Sequence, residues 1–140
     1  MTTTPDTNRE LEFVNTFVVS AKRARYSALV ASPRLRPQFL EALRDFSHFN
    51  PRFKVRLPRS QDSTRGYLIE LRRRTGTPNA YLISSHPDLD AVTLPLDEAL
   101  AEVHGRWDGT VMICTPSLAY YEGQWTYRFI LDHQPLRGAR

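Results

Sequence analysis

Two short stretches of this 140-residue chain gather side chains able to do chemistry. His86-Pro87-Asp88-Leu89-Asp90 brings one imidazole and two carboxylates together, and alternate residues of an extended loop can share a metal ion. That set is short of the ligands zinc or calcium requires, and His-Pro-Asp is also a turn sequence in which Asp accepts local backbone hydrogen bonds. The expectation is a turn, with no metal and no cofactor. Cys114, Ser117, Tyr120, Tyr121 and Glu122 crowd the second stretch. A nucleophile there needs a base within hydrogen-bond reach, and the candidates are His104 and His133. Neither histidine stands in a recognisable signature, and Ser117 is not inside a Gly-x-Ser-x-Gly elbow. Cys114 is the only cysteine, so no intramolecular disulfide forms; at the end of an apolar run it reads as a small buried hydrophobe. There is no Walker loop, no GxGxxG and no Cys/His metal spacing. A non-catalytic role is therefore the expectation.

Charge says more about partners. Residues 1–75 hold 15 Lys+Arg against 7 Asp+Glu, whereas residues 76–140 hold 4 against 8. A basic surface gathers anions and sets which diffusional encounters are productive. Lys22, Arg23 and Arg25 fall within one helical turn, Arg52, Lys54 and Arg56 share one face of an extended segment, and Arg34 and Arg36 lie between the two groups. These eight residues are the candidate nucleic-acid-binding set, each phosphate contact adding to a salt-dependent affinity. The competing reading is that they are solvated faces pointing in several directions. Arg72, Arg73 and Arg74 close an expected helix, where cations complement the macrodipole. Tyr26, Phe49 and Phe53 can stack on bases, but aromatics at such spacing are more often core. The leading expectation is a small binding protein engaging an anionic partner, most readily nucleic acid, through its basic amino-terminal half. A protein–protein or self-associating module, through complementary charge or a Tyr/Trp-bearing sheet face, is the alternative, and a hydrolase acting on phosphorylated substrates is third. The hydrolase gains support if His86, Asp88 or His104 shares a pocket with arginines. No stretch of about 18 apolar residues and no signal-like amino terminus occurs, so neither membrane nor export is indicated, and a cytoplasmic location is expected.

The elements that must position these residues follow from periodicity and punctuation. Thr7 and Glu10 have capping-box spacing ahead of Leu11, Phe13, Val14 and Phe17, which predicts a helix. Phe17-Val18-Val19 is compatible with a short strand, leaving open whether residues 8–31 are one helix or two, the second capped by Ser20. Ser32-Pro33 opens a helical region with Leu35, Phe39, Leu43 and Phe46 on one stripe, and Pro37 makes its first turn irregular or marks its regular start. Residues 48–60 read as extended and half-buried. Asp62 or Ser63 starts a helix ended by Gly76 and Pro78, residues 80–83 form a buried strand, and Thr93 opens a helix over Leu96, Ala99, Leu100 and Val103. Three strands follow, over 110–114, 118–122 and 125–132, with Gly123-Gln124 as a type II′ hairpin turn. The order gives one α+β domain over residues 1–140. Amino-terminal helices cover one face of a small, mostly antiparallel carboxy-terminal sheet with one inserted helix, Trp107 and Trp125 act as packing anchors, and residues 1–6 and 134–140 are disordered.

The stretches SPRLRPQFLEALRDFSHFNPRF, AYLISSHPDLDAVTLPLDEAL and GTVMICTPSLAYYEG resemble a group of small uncharacterised bacterial proteins of single-domain size, over residues 21–131. The resemblance implies a bacterial, self-contained domain. It attaches no activity, cofactor or catalytic residue.

Overall fold

The computed structural model describes residues 4–125 and 127–134. Asp6, one residue before the expected cap, accepts from the Arg9 backbone N–H and starts α1, Thr7–Phe17. Glu10 is thereby released from capping and turns into the interior. The β-branched Val18 and Val19 do break the helix: Val18 leaves α1 in an extended conformation and pairs with Phe49, and α2 runs from Ser20 to Ala31. Ser20 is inside α2 rather than capping it, since Val19 holds the N-cap position. Pro33–Leu35 form a single 3-10 turn, after which α3 spans Arg36–Leu43 with Pro37 in its first turn, where a missing N–H costs no intrahelical bond.

Residues 48–60 carry little strand. Two 3-10 turns, Pro51–Phe53 and Arg59–Gln61, bracket the two-residue β1, Lys54–Val55. Ser63 caps α4, Thr64–Arg74, by accepting from Gly66. β2 (Asn79–Ser84), β3 (Thr93–Pro95), α5 (Leu96–Val103), β4 (Thr110–Thr115), β5 (Leu118–Glu122) and β6 (Arg128–Asp132) complete the chain. Thr93-Leu94-Pro95 is a strand, not a helix start, because all three pair with β2.

The six strands form one antiparallel sheet in the order β1-β6-β5-β4-β2-β3. This is the expected α+β architecture, with one difference: helices cover both faces. Tyr81, Ile83, Val111, Ile113, Tyr121, Phe129 and Leu131 pack with α1, α2 and α3, while Leu82, Met112, Cys114, Tyr120 and Ile130 pack with α4 and α5. A sheet buried on both sides explains why β4 and β5 read as continuous apolar runs rather than alternating ones. It also buries both Tyr120 and Tyr121, one of which would otherwise meet solvent. Tyr121 donates to the Leu43 carbonyl at 2.5 Å and accepts from the Phe46 N–H at 3.1 Å, fixing the end of α3 on the sheet.

The β5–β6 connection is longer than a two-residue turn. β6 begins at Arg128, and the positive φ of 62° falls on Trp125, not on Gly123. Trp125 is 85% exposed and is no packing anchor. The two sheet edges, β1 and β3, are short and flanked or ended by prolines, which blunts strand addition. Asp6, expected in a disordered leader, is built into the fold, its N–H donating to the Tyr81 hydroxyl at 2.8 Å. Residues 1–3 and 135–140 of the expected disordered ends lie outside the described residues.

Candidate functional site

Of the eight cations singled out from sequence, Arg36 is consumed by the fold. Its guanidinium grips Glu10 through two bonds of 2.6 and 2.9 Å and Asp90 through two of 2.8 Å. Glu10 is fully buried and also accepts from the Tyr81 hydroxyl at 2.6 Å, while Asp90 takes the Ser84 N–H at 3.1 Å. The two carboxylates thus hold the Arg36 guanidinium, the Tyr81 hydroxyl holds Glu10 in turn, and the cluster ties α1, α3, β2 and the 85–90 turn together. Burial works against its charge, but the hydrogen bonds and the field of Asp90 and Glu10 outweigh that and push its pKa up, so it stays charged and is neutralised inside the fold.

The other seven make no ion pair among the described residues. Five of them lie along one connected stretch. Val19 donates to the His48 carbonyl and Asn50 to the Phe17 carbonyl, both at 2.8 Å, so the start of α2 is bound to the segment entering β1. Lys22 and Arg23 sit on that first turn, with Arg23 Nε donating to the Val18 carbonyl at 2.9 Å. Arg52 lies over the Phe53 ring at 5.5 Å. Lys54 donates to the Tyr127 hydroxyl at 2.7 Å, and its ammonium and the Arg56 guanidinium stand 5.3 and 4.9 Å from the Tyr127 ring centre. Cation–π contact of this kind orients each charge while leaving its outer side to solvent. Arg25 is on the same helix, over Tyr26. Arg34 lies beyond the far end of α2, about 18 Å from its start at 1.5 Å per residue. Positive charge is not confined to this edge, since Arg65 and Arg72 are exposed on α4, across the sheet, and also lack ion-pair partners among the described residues. Tyr26 and Phe49 are core, as their spacing suggested; only Phe53 is partly open.

The acidic residues gather elsewhere. His86, Asp88, Glu98, Glu102 and Arg106 rim an open cleft of about 640 Å³ whose floor is Leu89, Val92, Leu94 and Ala101. His86 and Asp88 do share it with an arginine, yet Arg106 is paired with Glu102 at 2.8 Å, and His86 Nδ1 accepts the Asp88 N–H at 3.2 Å in a local turn. Among the described residues no three His, Cys, Asp or Glu are placed to hold a metal. The basic β1 and the acidic α5–β3 region therefore occupy opposite edges of the sheet.

A polar cluster on the α4–α5 face joins Tyr120, Glu122 and His104, which the sequence singled out, to Arg128, Asp62 and Thr64, which it did not. Glu122 is 1% exposed and faces only donors: Gly105 N–H at 3.1 Å, Trp107 N–H at 3.0 Å, the Tyr120 hydroxyl at 2.8 Å and Arg128 at 3.4 Å. Gly105, Trp107 and Gly109 all have positive φ, which curls the 104–109 loop into an anion cradle that the chain's own carboxylate fills. Arg128 stacks on Trp107 at 4.3 Å, lies 3.0 Å from Asp62, and donates to His104 Nε2. That bond fixes the tautomer: Nε2 accepts, so Nδ1 carries the proton and donates to the Thr64 hydroxyl at 2.9 Å. His104 therefore cannot deprotonate Thr64. Of the other catalytic candidates, burial pushes the Cys114 thiol up to about 12, and the His133 ring packs on Phe53 at 4.7 Å. Among the described residues no nucleophile–base pair forms around these groups.

Burial, with Arg128 beside it, lowers the pKa of His104 below its usual value of about 6.5. The unfolded chain then takes up a proton that the folded one refuses, so the stabilisation is complete above about pH 6.5 and is lost as pH falls from there through the folded value. Wild-type protein should lose urea stability between about pH 7.5 and 5.5, and H104Q, which cannot titrate, should lose less; equal losses in both would remove His104 from the account.

No protein-family model matches the chain, and none of the curated proteins or solved structures compared with it is similar to it.

Proposed function

We propose that this protein is a non-catalytic binder of a polyanion, nucleic acid being the class that fits, and that the ligand tracks the β1 edge from Lys22 and Arg23 to Arg52, Lys54 and Arg56. The observation that carries this reading is the convergence of Lys54 and Arg56 on the Tyr127 ring with no carboxylate between them. Charges already neutralised inside the fold, as at Arg36, release no counterions on binding; charges held on aromatic faces and open to solvent do. Five phosphate contacts give a log–log salt slope of about −4.5 on duplex or about −3.5 on a single strand, at −0.9 and −0.7 per contact.

The test is binding of DNA and RNA oligonucleotides across a salt series. Reversing Lys54 and Arg56 together (K54E/R56E) should weaken binding at low salt and shrink the slope by about 1.5, the share of two contacts. R34E, beyond the other end of α2, should leave the slope within about 0.3 of wild type. Absence of low-salt binding, or binding indifferent to salt, would falsify the reading. The opposed charge of the two sheet edges favours one other outcome, head-to-tail self-association, which would appear in the same low-salt buffer as a sedimentation coefficient rising with protein concentration and no nucleic acid present.

A further inference from the structure

We infer that the bound nucleic acid is single-stranded and that one of its bases stacks on the indole of Trp125, at the turn between β5 and β6. This rests on the polyanion reading above and specifies the form of its ligand. Trp125 combines two properties. It is 85% exposed, and its φ of 62° lies in the left-handed region that disfavours a bulky side chain. The described residues on either side of it are tied into the fold. Gly123 donates to the Tyr127 carbonyl at 2.8 Å, Tyr127 to the Gln124 carbonyl at 3.3 Å, and Gln124 to the Arg44 carbonyl at 2.9 Å, so the hairpin end is anchored to the chain just past α3. A strained backbone and an exposed aromatic beside residues tied into the fold suit a residue that meets a ligand.

Its neighbours supply the rest of the site. Two residues along the chain, the Tyr127 ring carries Lys54 and Arg56, so the β5–β6 connection that bears the indole also bears the ring on which two cations converge. A duplex keeps its base faces inside the stack and presents phosphates alone, whereas an unpaired strand presents a π-face and a phosphate together. The pairing of platform and cations matches the second ligand and leaves the indole without use for the first.

Intrinsic fluorescence and competition binding test this with oligo(dT), a duplex of equal length, and heparin, a polyanion without bases. Oligo(dT) should quench tryptophan emission and bind more tightly than the duplex. W125A should weaken oligo(dT) by about tenfold (about 1.4 kcal/mol) while leaving heparin unchanged. W125F, which keeps a ring on the same backbone, should retain most of the affinity but lose the quenching, since Trp107 is then the only tryptophan. Thermal melts of both variants check that the exposed substitution leaves the fold intact. Equal affinity for single strand and duplex with no effect of W125A would overturn the stacking and leave the polyanion reading standing. Equal losses toward oligo(dT) and heparin would also overturn it, because the indole would then not be reading bases. Failure of all three ligands at low salt removes both.

Discussion

Replacing Arg36 with alanine is expected to destabilise the protein by about 3–5 kcal/mol, the usual cost of stranding one side of a buried ion pair. That is a large part of the roughly 5–15 kcal/mol that holds a domain of this size folded. The reason lies less in the lost attraction than in what remains. Glu10 is fully buried and would keep only the Tyr81 hydroxyl, and Asp90 would keep only the Ser84 N–H. R36K should recover part of the loss, since an ammonium keeps the charge but cannot make paired bonds to two carboxylates at once. E10M/R36M should be more stable than R36A, because it removes the stranded charge at Glu10 along with its partner. Urea unfolding read by circular dichroism measures all three. R36A within about 1 kcal/mol of wild type would mean that water or a rearranged side chain already compensates Glu10.

Sequence logic worked where local chemistry decides the outcome. Ser63 caps α4, Pro37 lies in the first turn of α3, Gly76 and Pro78 follow the end of α4, and Val18-Val19 breaks the first helical stretch in two. It failed where a distant partner overrides local preference. Thr93-Leu94-Pro95 carries a good helix-start signal, yet pairing with Asn79, Ala80 and Tyr81 makes it a strand. The alternation of Phe53, Val55 and Leu57 predicts a long extended segment, yet only Lys54 and Val55 find partners on β6. Trp125 fits the alternating pattern of β6, but the ladder starts only at Arg128. The expectation of one covered face missed the second layer because a continuous apolar run cannot by itself say what lies against each side.

The candidate interface was half legible. The grouping of Arg52, Lys54 and Arg56 is visible as a period-two pattern, but Tyr127, the ring that gathers two of them, lies more than 70 residues away and carries no signal of its own. Arg36 has the same type and setting as its basic neighbours. Only the structure separates it, through carboxylates 26 and 54 residues distant. Electrostatic function depends on which charges remain uncompensated, and compensation is a tertiary property. The asymmetry between the halves survives as opposite sheet edges because β1 comes early in the chain while β3 and α5 come late.

Glu122 provides the second large effect, and its signature is that glutamine should be nearly as damaging as alanine. At an ordinary surface pair, Glu→Gln removes a charge and keeps a hydrogen bond, at a cost of at most about 1 kcal/mol. Here all the groups around the carboxylate are donors: two backbone N–H groups of the 104–109 loop, a Tyr120 hydroxyl with no solvent exposure, and Arg128. A carboxylate satisfies them because both oxygens only accept; an amide must turn its NH₂ toward at least one donor. E122A leaves buried donors unpaired at about 1–3 kcal/mol each, and E122Q exchanges one of those losses for donor against donor. Both variants should lose about 3 kcal/mol or more, and both should free Trp107 from its loop, altering its near-ultraviolet dichroism before global unfolding. Glu122 also faces Arg128 directly across the β5–β6 ladder, so losing it leaves Asp62 as the remaining carboxylate on that guanidinium. E122D tests the geometry separately: the charge is retained, but one methylene less cannot reach the Gly105 and Trp107 N–H groups together, and an intermediate loss is expected. If E122Q unfolds within a few tenths of a kcal/mol of wild type, the cradle does not need an anion, and the three positive φ angles of the loop must be maintained by packing alone.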